Sequence, residues 1–170
     1  MPNDCTNILR ISAPSKEELD KILELVRGDD RPLSFNSIVP IPEGEKENWY
    51  NWSLENWGTK LDAYEYTHNE FKRLSDEEAT IGFMTAWSPP EAAIRELSAR
   101  FPQAIITLFY YEVGEDFCGE AVYSNAEVID NQEFEMTSEE GKDFLNERGL
   151  SFGDDEEGEE WDDEEAETEN

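Results

Sequence analysis

Positive charge, histidine and cysteine are all scarce in this sequence. Thirteen Lys and Arg stand against 43 Asp and Glu, so the formal net charge is -30 and the pI lies near 4.1. Nucleic-acid binding rests on neutralising phosphates with Lys and Arg, so direct contact with DNA or RNA is not expected. The single histidine, His68, leaves no Ser-His-Asp or Cys-His pair beyond it. Its neighbours Tyr66 and Asn69 suggest ordinary surface or edge placement. Cys5 and Cys118 are far apart and form no CxxC arrangement. They read as buried thiols in a reducing compartment, and Cys118 in DFCGEA has no histidine nearby to activate it.

Further absences narrow the function classes. There is no GxxxxGK[ST] or GxGxxG loop for phosphate, and residues 154–157 lack the ligand spacing of a calcium loop. Carboxylates are everywhere, yet no feature selects a pair for acid–base work. No cofactor, metal or enzymatic activity is therefore expected. A run of about eighteen apolar residues, enough to cross a bilayer, is also missing. The opening MPNDCTNILR has neither the basic start nor the apolar stretch of a secretory signal, so a cytoplasmic protein is expected.

What is present divides the chain in two. Residues 154–170, DDEEGEEWDDEEAETEN, contain twelve acids and no base. Such a block cannot bury enough apolar surface to offset its ordering entropy, so residues 153–170 are expected to form a disordered acidic tail. Residues 1–153 keep 31 acids and all 13 bases, a charge of -18. That part is acidic in its own right. Its aromatic content (the whole chain is 12% Phe, Trp and Tyr, with five Trp) is enough to build a core or a binding face.

Local patterns predict one domain over residues 1–152. Alternation from Cys5 to Ala13 predicts a half-buried strand, ended by Pro14. Ser15 and Glu18 make a capping box, followed by Leu19, Ile22, Leu23 and Val26 at helical spacing, with Gly28 as the expected stop. Residues 29–60 fit no simple period and read as a Trp-rich insertion. Strand-like sequence returns around Asp62 to Phe71, and Ala79 to Trp87 forms the return strand, with Ile81, Phe83 and Trp87 expected on one face. Ser88, Pro89 and Glu91 suggest a second capping box before Ile94, Leu97 and Phe101. Ala104 to Val113 is a strand. A C-terminal extension of about 114–149 adds strands over Phe117 to Ser124 and Glu127 to Phe134, then a helix opened by Thr137 and Glu140 and closed by Gly149. This order predicts an α+β, ferredoxin-like (split βαβ) antiparallel sheet with helices on one face.

The blocks WYNWSLENWGTKLDA, TAWSPPEAAIRELSARFP and YYEVGEDFCGEAVYS, in that order, resemble the YubB-like family of ferredoxin-like proteins from phages, plasmids and integrated elements. One departure is Leu61, where an aromatic residue is expected after the lysine of NWGTK. The resemblance implies the fold and a mobile-element origin; it names no reaction.

Two candidate sites remain. Trp49, Tyr50, Trp52 and Trp57, with Trp49 and Trp52 on one face of a short helix over about Glu47 to Trp57, suggest an aromatic platform for a ligand or peptide, with Lys60 beside it. The competing reading packs these rings over one end of the sheet, with Asn56, Thr59 and Lys60 as turn residues. The second site is the tail: Asp154, Asp155, Glu156, Glu157, Glu159, Glu160, Asp162 and Asp163, with Trp161 among them. An extended chain advances about 3.3–3.6 Å per residue, close to the roughly 3.4 Å between charges on one DNA strand. The acidic balance therefore suggests a binding protein that blocks a basic, nucleic-acid-binding host protein (a defence protein) by mimicry. The alternatives are a ligand- or peptide-binding module centred on the Trp insertion, and a tail that serves only solubility.

Overall fold

The computed structural model describes residues 3–66 and 71–150. Strand β1 (Asp4–Ser12) turns Cys5, Asn7, Leu9 and Ile11 inward, as its alternation predicts. Helix α1 (Lys16–Val26) begins where Ser15 accepts a hydrogen bond from the Glu18 amide at 3.2 Å, and it buries Leu19, Ile22 and Val26. It ends through Arg27 in extended conformation, without a left-handed glycine at 28. The insertion contains the single turn α2 (Phe35–Ile38), a 3-10 segment (Glu43–Asn48) and helix α3 (Trp49–Asn56). Strands β2 (Phe71–Arg73) and β3 (Glu78–Ala86), helix α4 (Glu91–Arg100) and strand β4 (Ile105–Glu112) complete the split βαβ unit. Strands β5 (Phe117–Ser124) and β6 (Glu127–Glu135) and helix α5 (Glu139–Glu147) follow.

The sheet order is β2-β3-β1-β4-β5-β6, antiparallel throughout. The first four strands have the ferredoxin-like order, and β5 and β6 extend it as a meander beyond β4. Helices α1 and α4 cover one face, their apolar residues forming one cluster with Leu9, Ile11, Ile81, Phe83, Ile106 and Leu108. The added helix α5 packs on the opposite face, where Phe144 and Leu145 meet Phe109, Cys118 and Met136. Register explains this split: Leu108 lies beside Leu9 under α1 and α4, so Phe109 must point the other way. Arg148 fastens the end of α5. Its guanidinium lies 3.6 Å from the Phe144 ring centre and pairs with Glu120 of β5 at 3.1 Å.

Several local expectations give way to tertiary contacts. The segment after Asp62 is not a continuous strand: Tyr64 makes an isolated bridge to Met84, and the ladder resumes at Phe71. Residues 67–70, with His68, lie outside the described residues, as do 151–170. Strand β3 stops at Ala86, and Trp87 (φ +74) turns out to 45% exposure instead of sharing the face of Ile81 and Phe83. Ser88 does not cap α4. Its hydroxyl donates to the Gly58 carbonyl at 2.7 Å, while the Ala93 amide of α4 donates to the Trp57 carbonyl at 3.2 Å. The insertion thus supplies the acceptor that a local cap was expected to provide. Helix α5 is capped by Ser138, one residue beyond Thr137, and Thr137 instead donates to Asp116 at 2.7 Å.

Gly119 shows what the extended sheet requires. In register it lies between Tyr110 and Glu133, and the Tyr110 ring crosses it so that its hydroxyl donates to Glu133 at 2.7 Å. A Cβ on Gly119 would sit 2.6 Å from both the Tyr110 hydroxyl and the Gln132 carbonyl. Gly119→Ala is expected to cost about 1–3 kcal/mol through overpacking, read as a lower urea midpoint at unchanged m-value.

Candidate functional site

The Trp-rich block is chiefly a joint. Trp57 is 3% exposed, its indole N–H donates to the Val39 carbonyl at 2.9 Å, and its ring lies against Phe35 and Trp52. Gly58 follows at φ +86, with the α4 backbone so close that a Cβ would lie 3.0 Å from the Glu91 amide nitrogen. Thr59 donates to the Ala86 carbonyl at 2.9 Å, tying the block to the end of β3. Asp62 accepts the Phe35 amide at 2.6 Å and the Ser34 hydroxyl at 2.7 Å, so it holds α2 in place. Trp57 is therefore removed from the expected platform, and half-buried Trp52 packs against the core. Trp49 and Tyr50, 43% and 49% exposed, form an edge-to-face pair outside. Lys60 does not join them; its ammonium sits 5.8 Å over the Trp87 ring. Of the predicted platform, only Trp49 and Tyr50 remain displayed. The tail residues Asp154 to Asp163, Trp161 included, lie outside the described residues.

Charge is organised in a way the linear sequence does not reveal. Arg10, Lys16, Arg27, Arg31, Lys46, Arg73, Arg100 and Arg148 each pair with a carboxylate of the domain, at 2.6–3.9 Å. Asp20 takes both Arg73 and Lys16, whose hydrogen bonds hold its carboxyl below the usual range. Most of these pairs are exposed and contribute little to stability. Together they set at least eight of the thirteen Lys and Arg against local carboxylates. Strand β6, by contrast, has four acids and no base and is exposed along nearly its whole length.

Beside β6 lies a cleft of about 220 Å³ lined by Gly58, Ser88, Pro89, Glu91, Phe117 and Glu133. Its two carboxylates come from the start of α4 and from β6, brought together by sheet register and by the joint at Gly58. Glu91 is exposed as a residue, but its carboxyl is crowded. That desolvation, and then the nearby Glu133 charge, raise its pKa against the opposing pull of Arg95. Burial and the bond to Glu133 raise the Tyr110 phenol as well, so it remains a proton donor at neutral pH. Two converging carboxylates give this cleft the chemistry to pair with a cationic group. Sequence reasoning missed Glu91, Glu133, Tyr110 and Trp87 as site residues; the pairing of Gly119 with Tyr110 and Glu133 points to those two only once register is known.

The thiols fit no reactive role. Cys5 and Cys118 are both buried, as expected, and burial pushes the Cys5 thiol up to about 12 and raises that of Cys118. No group of three or more His, Cys, Asp or Glu able to hold a metal occurs among the described residues. No helix among them is long and apolar enough to cross a membrane.

A split βαβ sheet extended by a β-meander defines the class: a ferredoxin-like α+β domain. The chain belongs to the family described as the ferredoxin-like domain in Api92-like proteins, whose model matches residues 63–170. Among solved structures it is similar to the crystal structure of a protein api92 from Yersinia pseudotuberculosis. The TM-score is 0.58 at 10% identity, covering 79% of this chain and 98% of that one, a likeness of fold alone. No curated protein matches the chain. The ferredoxin-like fold expected from the sequence motifs is the fold of this family.

Two outcomes test the site. Trp57→Ala should lower stability by about 3–5 kcal/mol, whereas Trp49→Ala should melt like the parent, both measured by thermal and urea denaturation. Glu91 sets a pH dependence. Between the ordinary carboxyl value of 4.5 and its raised pKa, the folded chain holds a proton that the unfolded chain releases. Stability therefore falls as pH rises through that window. Glu91→Gln should be more stable than the parent at pH 7 and should lose that advantage at pH 3, where the parent is protonated folded and unfolded alike.

Proposed function

We propose that this chain is a non-enzymatic acidic binding protein that occupies the basic surface of a nucleic-acid-binding partner and so competes with nucleic acid. The observation that carries this reading is the charge layout. At least eight of the thirteen basic side chains are engaged by carboxylates within the domain, while β6 carries four acids and no base along its exposed length and contributes Glu133 to the cleft that holds Glu91. Such a surface raises the encounter rate with a basic protein and repels phosphates. The acidic run at 154–170 adds twelve carboxylates, and a fully extended chain would advance about 3.3–3.6 Å per residue, near the roughly 3.4 Å between charges on one DNA strand. A cytoplasmic setting and a mobile-element origin, with a host defence protein as the blocked partner, complete the proposal. The mobile-element origin rests on the sequence motifs that resemble the YubB-like family, and the cytoplasmic setting on the free, buried thiols Cys5 and Cys118.

A second reading is favoured by the exposed Trp49–Tyr50 pair, which offers an apolar contact for a ligand or peptide. The two separate cleanly. Basic nucleic-acid-binding proteins should bind the immobilised chain at 0.1 M salt and much less at 1 M, where the Debye length falls from about 10 Å to about 3 Å. An oligonucleotide bound by such a partner should exclude the chain. Formation of a ternary complex with nucleic acid, or binding indifferent to salt, overturns the mimicry reading. Salt-independent binding that Trp49→Ala abolishes establishes the second.

A further inference from the structure

We infer that β6 is a docking edge to which an extended, Lys- or Arg-bearing segment of the partner adds as a further strand. This deepens the proposed function by naming how the basic partner is held. Among the described residues β6 ends the sheet, and its partner β5 occupies one side only. Which backbone groups face outward follows from two contacts. The Met136 amide donates to the Asp116 carbonyl, and the Gln132 carbonyl lies over Gly119 of β5. Even-numbered residues of this stretch therefore bond inward, and Asn131, Glu133 and Glu135 turn their N–H groups away from the sheet. The Glu135 carbonyl is taken by Ser138. The carbonyls of Asn131 and Glu133 are directed outward with their amides. The bulge beside Val122 and Tyr123 interrupts the ladder only before Asp130, so Asp130 to Glu135 is regular strand.

An edge of this length is a template for strand addition, and its side chains decide what adds. Glu127, Asp130, Glu133 and Glu135 are the charged residues of the strand, all of one sign. A second copy pairing β6 with β6 would set like charges opposite one another, which is destabilising. A strand with Lys or Arg on alternate residues meets carboxylates instead. The same acids oppose self-association through this exposed nine-residue edge.

The test uses the full chain and a peptide of about ten residues alternating Lys and Thr, alongside the same peptide N-methylated throughout, which keeps the charge and loses the donors. The unmethylated peptide should slow hydrogen exchange at the amides of Asn131, Glu133 and Glu135. Methylation should weaken binding at least about tenfold, since several backbone hydrogen bonds are lost. Asn131→Pro removes one outward N–H at an edge position that tolerates proline. It should retain the parent's melting temperature and weaken binding, whereas Asn131→Ala should bind as the parent does. Equal binding of the methylated peptide, or protection elsewhere without protection at these amides, overturns the β6 proposal and leaves the acidic-binding reading standing. If neither peptide binds, both fall.

Discussion

The burial of Trp57 holds the molecule's most irregular part to its most regular part. Residues 29–60 have no periodicity with which to form a core of their own. They are organised instead by one indole that fills the space against Phe35 and donates to Val39, followed by a glycine that lets the chain pass against α4. From this point Thr59 reaches β3, Asp62 holds α2 and the Trp57 carbonyl receives the α4 amide. A buried aromatic with its polar atom satisfied combines a large apolar contribution with a directional constraint. The ENWGTK motif therefore reads as architecture, and Trp49 and Tyr50 are the aromatics the architecture leaves over.

The second organising feature is electrostatic. A net charge of -30 is a bulk quantity and says nothing about where an attractive surface lies. The fold distributes it unevenly. Arg148 holds α5 against the sheet while paired with Glu120, Arg73 ties β2 to α1 through Asp20, and Arg10 bridges β1 and β3 through Glu78. Cations placed at element junctions are engaged internally, and acids on the last strand face solvent. The crowding of Glu91 beside Glu133 is a local cost of this layout, since two carboxylates share a small cleft without a cation between them. Arg95 offsets that cost in part. Clefts in which like charges converge are suited to cationic groups from outside.

Alternation and capping by themselves determined most of the regular structure. The strand from Cys5, the Ser15-capped helix, the strands over Ile105–Glu112 and Phe117–Ser124, and the split βαβ order were all legible, because period 2, period 3.6 and an N-cap hydroxyl are properties of short windows. The burial of both thiols followed from residue type alone. What sequence could not determine were contacts between residues distant along the chain. The acceptor for the α4 amide is 36 positions away at Trp57, so a local Ser88 cap was expected in its place. Asp62 read as strand because its helix-holding partners, Ser34 and Phe35, lie in the aperiodic insertion. The face that receives α5, the meeting of Tyr110 with Glu133 across Gly119, and the outward turn of alternate β6 amides depend on register. Pairing sets register by fitting two faces against their neighbours, so it belongs to the assembled sheet and to no single strand.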